Sequence, residues 1–514
     1  MKRYLPVLLA LTALLGSALP AAHAAGDKAK EQSKPTAEKP VKQQKITTHH
    51  SLVLNGKTIH YTATAGNLVL TNDKGEQTAS MFYIAYTEDG ANAHKRPVTF
   101  AWNGGPGGSS VLVNIGGFGP MRVHTTDAAP TPPAPYALKP NPYSILDKTD
   151  LVFIDAVGTG FSKLLGKSKP KDFYGADQDT NAFGDFIRQY ITENNRWNSP
   201  KFILGESYGT PRAAMLSDWL QRKGVALNGV ILLSSILNFN DEFWFQPPGS
   251  NDLSYELYLP SYAAVAWYHN KLPNKPADLP AFLKRARQFA LGEYADALQV
   301  GDSISTSQEA AVIQKLHDFT GLSKTYLKDA KLRVSPARFM KQLLRNEART
   351  IGRYDARYEG IDYDSAGEYM DYDPSGTAMF PAVVAAFHNY LRNGLNDKST
   401  ANYEFLSYKV NGAWDWHHRV DGRKYPVPDT LPDLRLAMSQ NPHLKVFSGN
   451  GYFDLATPFF KTEYELNHMG LDPSLQKNIT FDYYHDGHML YIHTAALKKL
   501  KTDLAHFYDS ATTE

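Results

Sequence analysis

The chain has 514 residues, 42% of them hydrophobic, so it can bury a large core in one domain with an insertion or in two or three domains. A formal net charge of +2 gives no argument for a nucleic-acid partner, and none is expected. The chain contains no cysteine, which excludes disulfides, thiol chemistry and cysteine-based metal sites.

The N-terminus carries the pattern of a secretory signal peptide. Two basic residues precede a short apolar run from Leu5 to Leu15, and a small-x-small sequence ends at Ala24. The apolar run is too short for a transmembrane anchor, so no stable membrane insertion is expected. Residues 1–24 therefore predict export, to the periplasm or outside the cell, and their short Ala-rich form looks bacterial.

The next segments predict a disordered leader and then a sheet. Residues 25–50 are rich in Lys, Gln, Glu and Pro, which is typical of a solvated leader. Alternating β-runs begin at Ser51, and the turn sequences NGK and NDKGE between them predict an antiparallel entry to a sheet. The apolar runs VTFAW and DLVFI then end in Gly-rich loops, as strands buried on both faces often do.

Strand and helix patterns alternate beyond these runs. KFILG and GVILL read as strands with a helical segment between them, which predicts a mostly parallel sheet with helices on both faces. The alternation stops after Ser235 and resumes near the C-terminus with two strands and a final helix. We therefore predict an α/β core formed by residues 51–240 and 432–514, with a cap insertion at residues 241–431.

The segment KFILGESYGTPRA contains G-x-S-x-G at a predicted strand–turn–helix junction. Such a nucleophile elbow needs small residues, here Gly205 and Gly209, because the backbone of the turn is strained. The turn exposes the Ser207 hydroxyl beside a helix N-terminus, so Ser207 is the predicted nucleophile. Glu206 places a negative charge directly before it, which the elbow alone does not explain.

A nucleophilic serine needs a base and an acid that orients the base. In the α/β-hydrolase fold these residues follow in the order Ser, Asp, His. Asp454 follows a predicted strand and His488 lies in a loop before the last helix, so their positions favour them. Asp482 and Asp486 compete for the role of the acid, and His485 competes for that of the base.

Acyl transfer also needs two backbone N–H donors for the developing oxyanion. The elbow predicts one donor at Tyr208, and the Gly-rich loop NGGPGGSS predicts the other at Gly105. This loop lacks the Lys-Ser/Thr of a P-loop, and the chain has no HExxH motif, Cys/His cluster or dinucleotide fingerprint. Neither a metal nor a cofactor is expected.

Five motifs in order resemble those of the serine carboxypeptidase family. They are WNGGPG (Trp102–Gly107), NPYSI (Asn141–Ile145), VGTGFS (Val157–Ser162), GESYG and GHM. The resemblance covers the core on both sides of the insertion and implies an α/β-hydrolase fold with a large cap insertion. It also implies release of C-terminal residues from a peptide substrate through an acyl-enzyme, with Ser207, His488 and Asp454 as the catalytic triad.

The resemblance assigns a role to Glu206. In family members the glutamate before the serine binds the substrate's C-terminal carboxylate, together with a loop asparagine and the following glycine N–H, here Asn103 and Gly104. A carboxyl group can hold a carboxylate only by donating a proton, which requires a raised pKa or an acidic pH. The family's second glutamate falls at Gly117, so one acid of the pair is absent.

The missing acid leaves other functions open. An esterase or acyltransferase on the same scaffold would share the triad chemistry. A non-catalytic binding protein that uses the aromatic-rich insertion is a third alternative, and an aminopeptidase rests on the GGPGG loop alone. The preferred interpretation is a serine carboxypeptidase, and the sequence leaves its oligomeric state and its preferred side chains open.

Overall fold

A mixed sheet forms the centre of the computed structural model, which describes residues 40–243, 245 and 251–512. In the described residues the strands are β1 (Lys45–Leu54), β2 (Lys57–Thr71), β3 (Gln77–Glu88), β4 (Val98–Trp102), β5 (Met121–Val123), β6 (Leu138–Pro140), β7 (Asp150–Ile154), β8 (Lys163–Leu164), β9 (Lys201–Glu206), β10 (Gly229–Leu233), β11 (Arg349–Ile351), β12 (Glu359–Ile361), β13 (His418–Val420), β14 (Arg423–Tyr425), β15 (Lys445–Gly451) and β16 (Ile479–Tyr484).

The α-helices of the described residues cover this sheet and make up much of the insertion. They are α1 (Ala176–Glu193), α2 (Gly209–Arg222), α3 (Leu253–Tyr268), α4 (Leu279–Phe289), α5 (Ala295–Val300), α6 (Thr306–Thr320), α7 (Lys324–Asp329), α8 (Pro336–Gln342), α9 (Pro374–Asn389), α10 (Tyr408–Gly412), α11 (Leu431–Gln440), α12 (Phe459–Asn467), α13 (Pro473–Gln476) and α14 (Thr494–Thr512).

The strand order confirms the predicted α/β-hydrolase class. The main sheet runs β1-β2-β3-β7-β4-β9-β10-β15-β16, with β8 paired to β3. Its first four strands pair antiparallel, and the pairs from β7 to β16 are parallel. Every residue of β4, β7, β9 and β10 is buried, as nearly continuous apolar runs predict for strands covered on both faces.

Hydrophobic cores lie on both faces of the sheet. Phe202 and Leu204 of β9 point into one core, which includes side chains of α9 and α14. Ile203 points into the other core, which includes side chains of α1, α2 and α11. Because successive side chains of a strand face opposite sides, this division shows that the helices cover both faces.

The chain leaves the sheet between the adjacent strands β10 and β15, where the insertion is predicted. Helices α3 to α8 contribute to a third hydrophobic core, which includes Phe453 and Leu455. These two residues flank Asp454 in the segment that follows β15. The insertion therefore packs directly against one of the predicted site segments. The described residues from Val41 onward belong to one compact unit.

The predicted N-terminal segments meet the structure only in part. The signal peptide predicted for residues 1–24 lies outside the described residues, and so does most of the leader predicted for residues 25–50. The predicted end of the leader at residue 50 is wrong, because β1 begins at Lys45 and pairs with β2 from its first residue. Backbone hydrogen bonds to β2 stabilise this half-exposed strand. The polar composition of β1 alone gives no sign of that pairing. Among the described helices, none is long and apolar enough to cross a membrane.

Candidate active site

Ser207 sits at a tight turn between β9 and α2. Its φ of +56° is in the left-handed region, which costs a non-glycine residue free energy and is common at functional sites. A Cβ on Gly205 would overlap the carbonyl oxygen of Gly209, and a Cβ on Gly209 would lie 2.7 Å from Trp102 Cδ1. Close packing therefore requires glycine at both positions of the G-x-S-x-G pattern, against backbone at Gly205 and against the Trp102 side chain at Gly209.

The Gly-rich loop after β4 lies against this turn. A Cβ on Gly104 would overlap the backbone nitrogen of Tyr208, so only glycine permits the approach. Gly105 has a φ of +116°, which also favours glycine, and it lines the same pocket as Ser207. The loop and the turn thus bring the two predicted oxyanion donors, Gly105 and Tyr208, to adjoining backbone segments.

His488 and Asp454 are joined by a short contact beneath this pocket. His488 Nδ1 lies 2.7 Å from Asp454 Oδ2, and both side chains are buried. Asp454 Oδ1 accepts hydrogen bonds from the backbone N–H groups of Ala456 and Thr457, at 2.7 and 2.9 Å. The Thr457 hydroxyl donates to Oδ2 at 2.8 Å. These donors hold the Asp454 side chain in place beside the imidazole.

His488, Ser207 and Glu206 line one pocket, and His488 Nε2 lies 3.7 Å from Glu206 Oε1. The backbone N–H of His488 donates to the Tyr354 carbonyl, and its carbonyl accepts from Ser234 Oγ at 2.6 Å. Burial lowers the pKa of the His488 imidazole, but the charge and hydrogen bond of Asp454 outweigh burial and leave the pKa above 6.5. The group is thus a histidine whose protonated form is stabilised by its acid.

The competing residues have other partners. Asp482 accepts from Lys499 at 3.0 Å, near the exposed end of the sheet. Asp486 is buried and paired with Arg357 and His493. His485 packs edge-on against an aromatic ring, and burial lowers the pKa of its imidazole. The structure therefore brings Asp454, and neither competing acid, to the His488 ring.

One group of possible metal ligands occurs in the described part of the chain. It consists of Asp355, Asp486 and His493, which are all buried. The Arg357 guanidinium lies 2.6 Å from an oxygen of each aspartate, and it also contacts Asp127. Arg357 therefore supplies the positive charge that the acids need, and the group works as an ionic network that ties the insertion to the His488 loop.

Glu206, Asn103 and Gly104 form the predicted carboxylate-binding group. Asn103 Nδ2 donates to Glu206 Oε2 at 2.9 Å, and Gly104 lines the same pocket as Glu206. Asn103 Oδ1 accepts from the Val113 N–H at 3.0 Å, which fixes the amide orientation. Burial raises the pKa of the Glu206 carboxyl above its usual value, although the charge of His488 and the hydrogen bond from Asn103 act in the opposite direction.

Two residues that sequence reasoning missed complete this group. The Tyr491 hydroxyl accepts from Asn103 Nδ2 at 3.1 Å. Arg212 of α2 donates to the Asn103 carbonyl at 3.0 Å and is paired with buried Asp179. Tyr491 directly follows the GHML sequence, but nothing in that spacing points to Asn103, and only the tertiary fold brings Tyr491 and Asn103 together.

The insertion supplies the outer wall of the pocket. Its lining residues from the insertion are Arg353, Tyr354, Phe380, Phe405 and Leu406. The wall is mostly apolar and aromatic, with one cationic residue, whereas the floor carries Ser207, Glu206 and His488. Such a division of polar and apolar groups is typical of a site that orients a substrate through a few polar contacts.

The main sheet has the strand arrangement of an α/β-hydrolase fold, and Ser207, Asp454 and His488 follow one another along the chain in the order expected for that fold. A sequence profile described as serine carboxypeptidase matches residues 57–246. Over these residues the chain is similar to the serine carboxypeptidase family.

Two comparisons give the extent of the likeness. The chain is 35% identical over 156 residues to the pheromone-processing carboxypeptidase KEX1 of Saccharomyces cerevisiae, across 28% of this chain and 20% of that protein. It therefore spans about a fifth of the length of the curated relatives that it matches. The crystal structure of Kex1(delta)p, a prohormone-processing carboxypeptidase from S. cerevisiae, superposes with a TM-score of 0.54 at 15% identity, covering 87% of this chain and 91% of that one. This second likeness concerns the fold.

Proposed function

We propose that the protein is a serine carboxypeptidase that removes single residues from the C-termini of peptides. The observation that carries the proposal is the position of Glu206, whose carboxyl lies 3.7 Å from the His488 ring and is held by Asn103. A terminal carboxylate bound there would place the last peptide bond beside Ser207. The signal-peptide pattern of residues 1–24 supports an exported setting for this activity.

The chemistry proceeds in two halves. Ser207 Oγ bonds to the carbonyl carbon of the last peptide bond while His488 Nε2 takes the hydroxyl proton. The N–H groups of Gly105 and Tyr208 stabilise the resulting oxyanion. The C–N bond then breaks, His488 returns the proton to the leaving amine, and the terminal amino acid departs. Water attacks the remaining acyl-enzyme by the same proton route and frees Ser207.

Carboxylate binding requires Glu206 in its protonated form. An ionised Glu206 would repel the substrate carboxylate, whereas the protonated acid donates a hydrogen bond to it. The raised pKa of Glu206 favours that form. His488 must be neutral to accept the proton of Ser207, so activity falls as the pH drops through the raised pKa of His488. Because activity needs a protonated Glu206 and a neutral His488, we expect the rate of free-acid peptide cleavage to show a bell-shaped dependence on pH.

A matched pair of peptides tests the proposal. Cleavage of a free-acid peptide and its C-terminally amidated form is followed by mass spectrometry, with Ser207→Ala as the control. We expect the free-acid peptide to lose residues stepwise and the amide to react at least about tenfold more slowly, since it leaves one buried hydrogen-bonding group unpaired. Equal cleavage of both forms would contradict exopeptidase recognition. Turnover of acyl esters without any peptide cleavage would favour the esterase or acyltransferase alternative.

A further inference from the structure

Residues 404–416 of the insertion, the support segment, lie against the core beside the nucleophile. The first of them, Glu404, exchanges two backbone hydrogen bonds with Gly160 of the VGTGFS sequence, at 2.8 and 3.1 Å. Near the other end, the Asp415 N–H donates to the Tyr174 carbonyl at 3.0 Å. Backbone hydrogen bonds to the core therefore hold the support segment at both ends.

Between these ends the support segment contacts the Gly-rich loop after β4, which carries the proposed oxyanion donor Gly105. The Ser407 N–H donates to the Gly107 carbonyl at 2.8 Å, and the Asn411 side-chain Nδ2 donates to the Pro106 carbonyl at 3.1 Å. A Cβ on Gly107 would lie 2.6 Å from the Ser407 carbonyl oxygen, so the two backbones are in close contact. The insertion therefore holds the two residues that directly follow Gly105.

The support segment also contacts Tyr208, the other proposed oxyanion donor. Trp414 Nε1 donates to the Tyr208 hydroxyl at 3.1 Å, and both side chains are buried. The Trp414 and Trp416 rings meet the Tyr208 ring edge-on, at centroid distances of 5.3 and 5.7 Å. A Cβ on Gly104 would overlap the Tyr208 nitrogen, so the Gly-rich loop packs against the Tyr208 backbone. Tyr208 is thus held both by its side chain and by its backbone.

We infer that the support segment positions both oxyanion donors, and that Asn411 and Trp414 are the positioning residues through which it raises the rate of acyl transfer. The inference rests on the proposed function only through the donors Gly105 and Tyr208, which peptide and ester cleavage share. A backbone N–H stabilises an oxyanion only when it lies within about 3 Å of that oxygen, so a small displacement of the donor lowers kcat. Asn411 and Trp414 are not among the described residues that line the pocket, so each acts through the backbone that it holds.

The test measures kcat and KM separately for Asn411→Ala and Trp414→Phe, with a free-acid peptide and with an acyl ester. We expect each substitution to lower kcat by about tenfold with both substrates, because one oxyanion donor is displaced. KM should stay within about twofold of wild type, since the groups that bind the substrate are unchanged. A substitution that disturbed the carboxylate-binding group would instead affect the peptide alone.

Two substitutions outside the support segment are the matched controls. Asn441→Ala removes a side-chain donor to the Leu227 carbonyl at 2.8 Å, and Trp267→Phe removes an indole donor to the Pro276 carbonyl at 2.7 Å. Each control loses one side-chain N–H donor, as its counterpart does, so thermal unfolding should show a similar loss of stability. The kcat of both controls should stay within about twofold of wild type, because neither hydrogen bond reaches an oxyanion donor.

The outcomes separate this inference from the proposed function. A folded variant that keeps kcat within about twofold with both substrates overturns the role of the residue that it replaces, and two such variants overturn the inference. A fall of kcat for the peptide alone also overturns it, because the segment would then act on carboxylate binding. A wild-type enzyme that cleaves free-acid and amidated peptides equally overturns the proposed function, and the ester still tests the inference. If Trp414→Phe fails to fold, the exposed Asn411 and its control decide the outcome.

Discussion

Replacing Ser207 by alanine is expected to lower kcat by about 10⁴- to 10⁶-fold while peptide binding survives. The substitution removes the only protein atom that becomes bonded to the substrate's carbonyl carbon in the proposed mechanism. It leaves Glu206, Asn103 and the Gly104 N–H in place, so the carboxylate-binding group persists. Single-turnover kinetics would measure the loss of acyl-enzyme formation, and calorimetry with a free-acid peptide would measure binding.

Ser217→Ala is the control for this substitution. Ser217 is buried in α2, ten residues beyond the turn, and its hydroxyl donates to the Ala214 carbonyl at 2.6 Å. Its removal should leave kcat within about twofold, since it costs only one local hydrogen bond. Residual activity of Ser207→Ala above about a hundredth of wild type would mean that another group carries the chemistry.

The second large effect is expected for Asp454→Asn, with kcat reduced by about 10⁴-fold. An asparagine at this position keeps the size of the side chain but can present an amide to His488 Nδ1, which favours the wrong tautomer of the ring. Its neutral side chain also removes the charge that holds the pKa of His488 above its usual value. The acid limb of the pH profile should therefore move to lower pH as activity falls.

Asp482→Asn serves as the matched control for this prediction. Asp482 lies in β16, was a competing candidate for the acid, and is paired with partly exposed Lys499. A partly exposed ion pair of this kind contributes little, so the variant should retain activity within about twofold. If Asp482→Asn were the impaired enzyme and Asp454→Asn the active one, the assignment of the acid would be wrong.

The sequence was sufficient for the core of the fold because its strands are buried on both faces. Such strands must be apolar throughout, and β4, β7, β9 and β10 read directly as apolar runs. The glycines of the elbow were likewise predictable, because the chemistry of a strained turn restricts residue type locally. The start of β1 was not predictable from the sequence, because the pairing of a half-exposed polar strand depends more on its partner strand than on its own residues.

The residues of the predicted carboxylate-binding group also differ in how far the sequence could predict them. Glu206 and Asn103 lie within motifs of several residues, so a pattern in the chain can identify them. Tyr491 and Arg212 reach the group from separate elements, and a tyrosine after a loop or an arginine in a helix has many ordinary explanations. Their contribution follows from contacts across the fold, which a single sequence does not display.

The pH dependence of Glu206→Gln tests most directly whether Glu206 is the titrating group that binds the terminal carboxylate. In wild type, kcat/KM for a free-acid peptide should fall about tenfold per pH unit above the pKa of Glu206, because one proton is lost. A glutamine amide donates at every pH, so the account predicts that the variant retains free-acid cleavage and that this alkaline fall disappears. An alkaline fall of the same midpoint and slope in Glu206→Gln and wild type would contradict it.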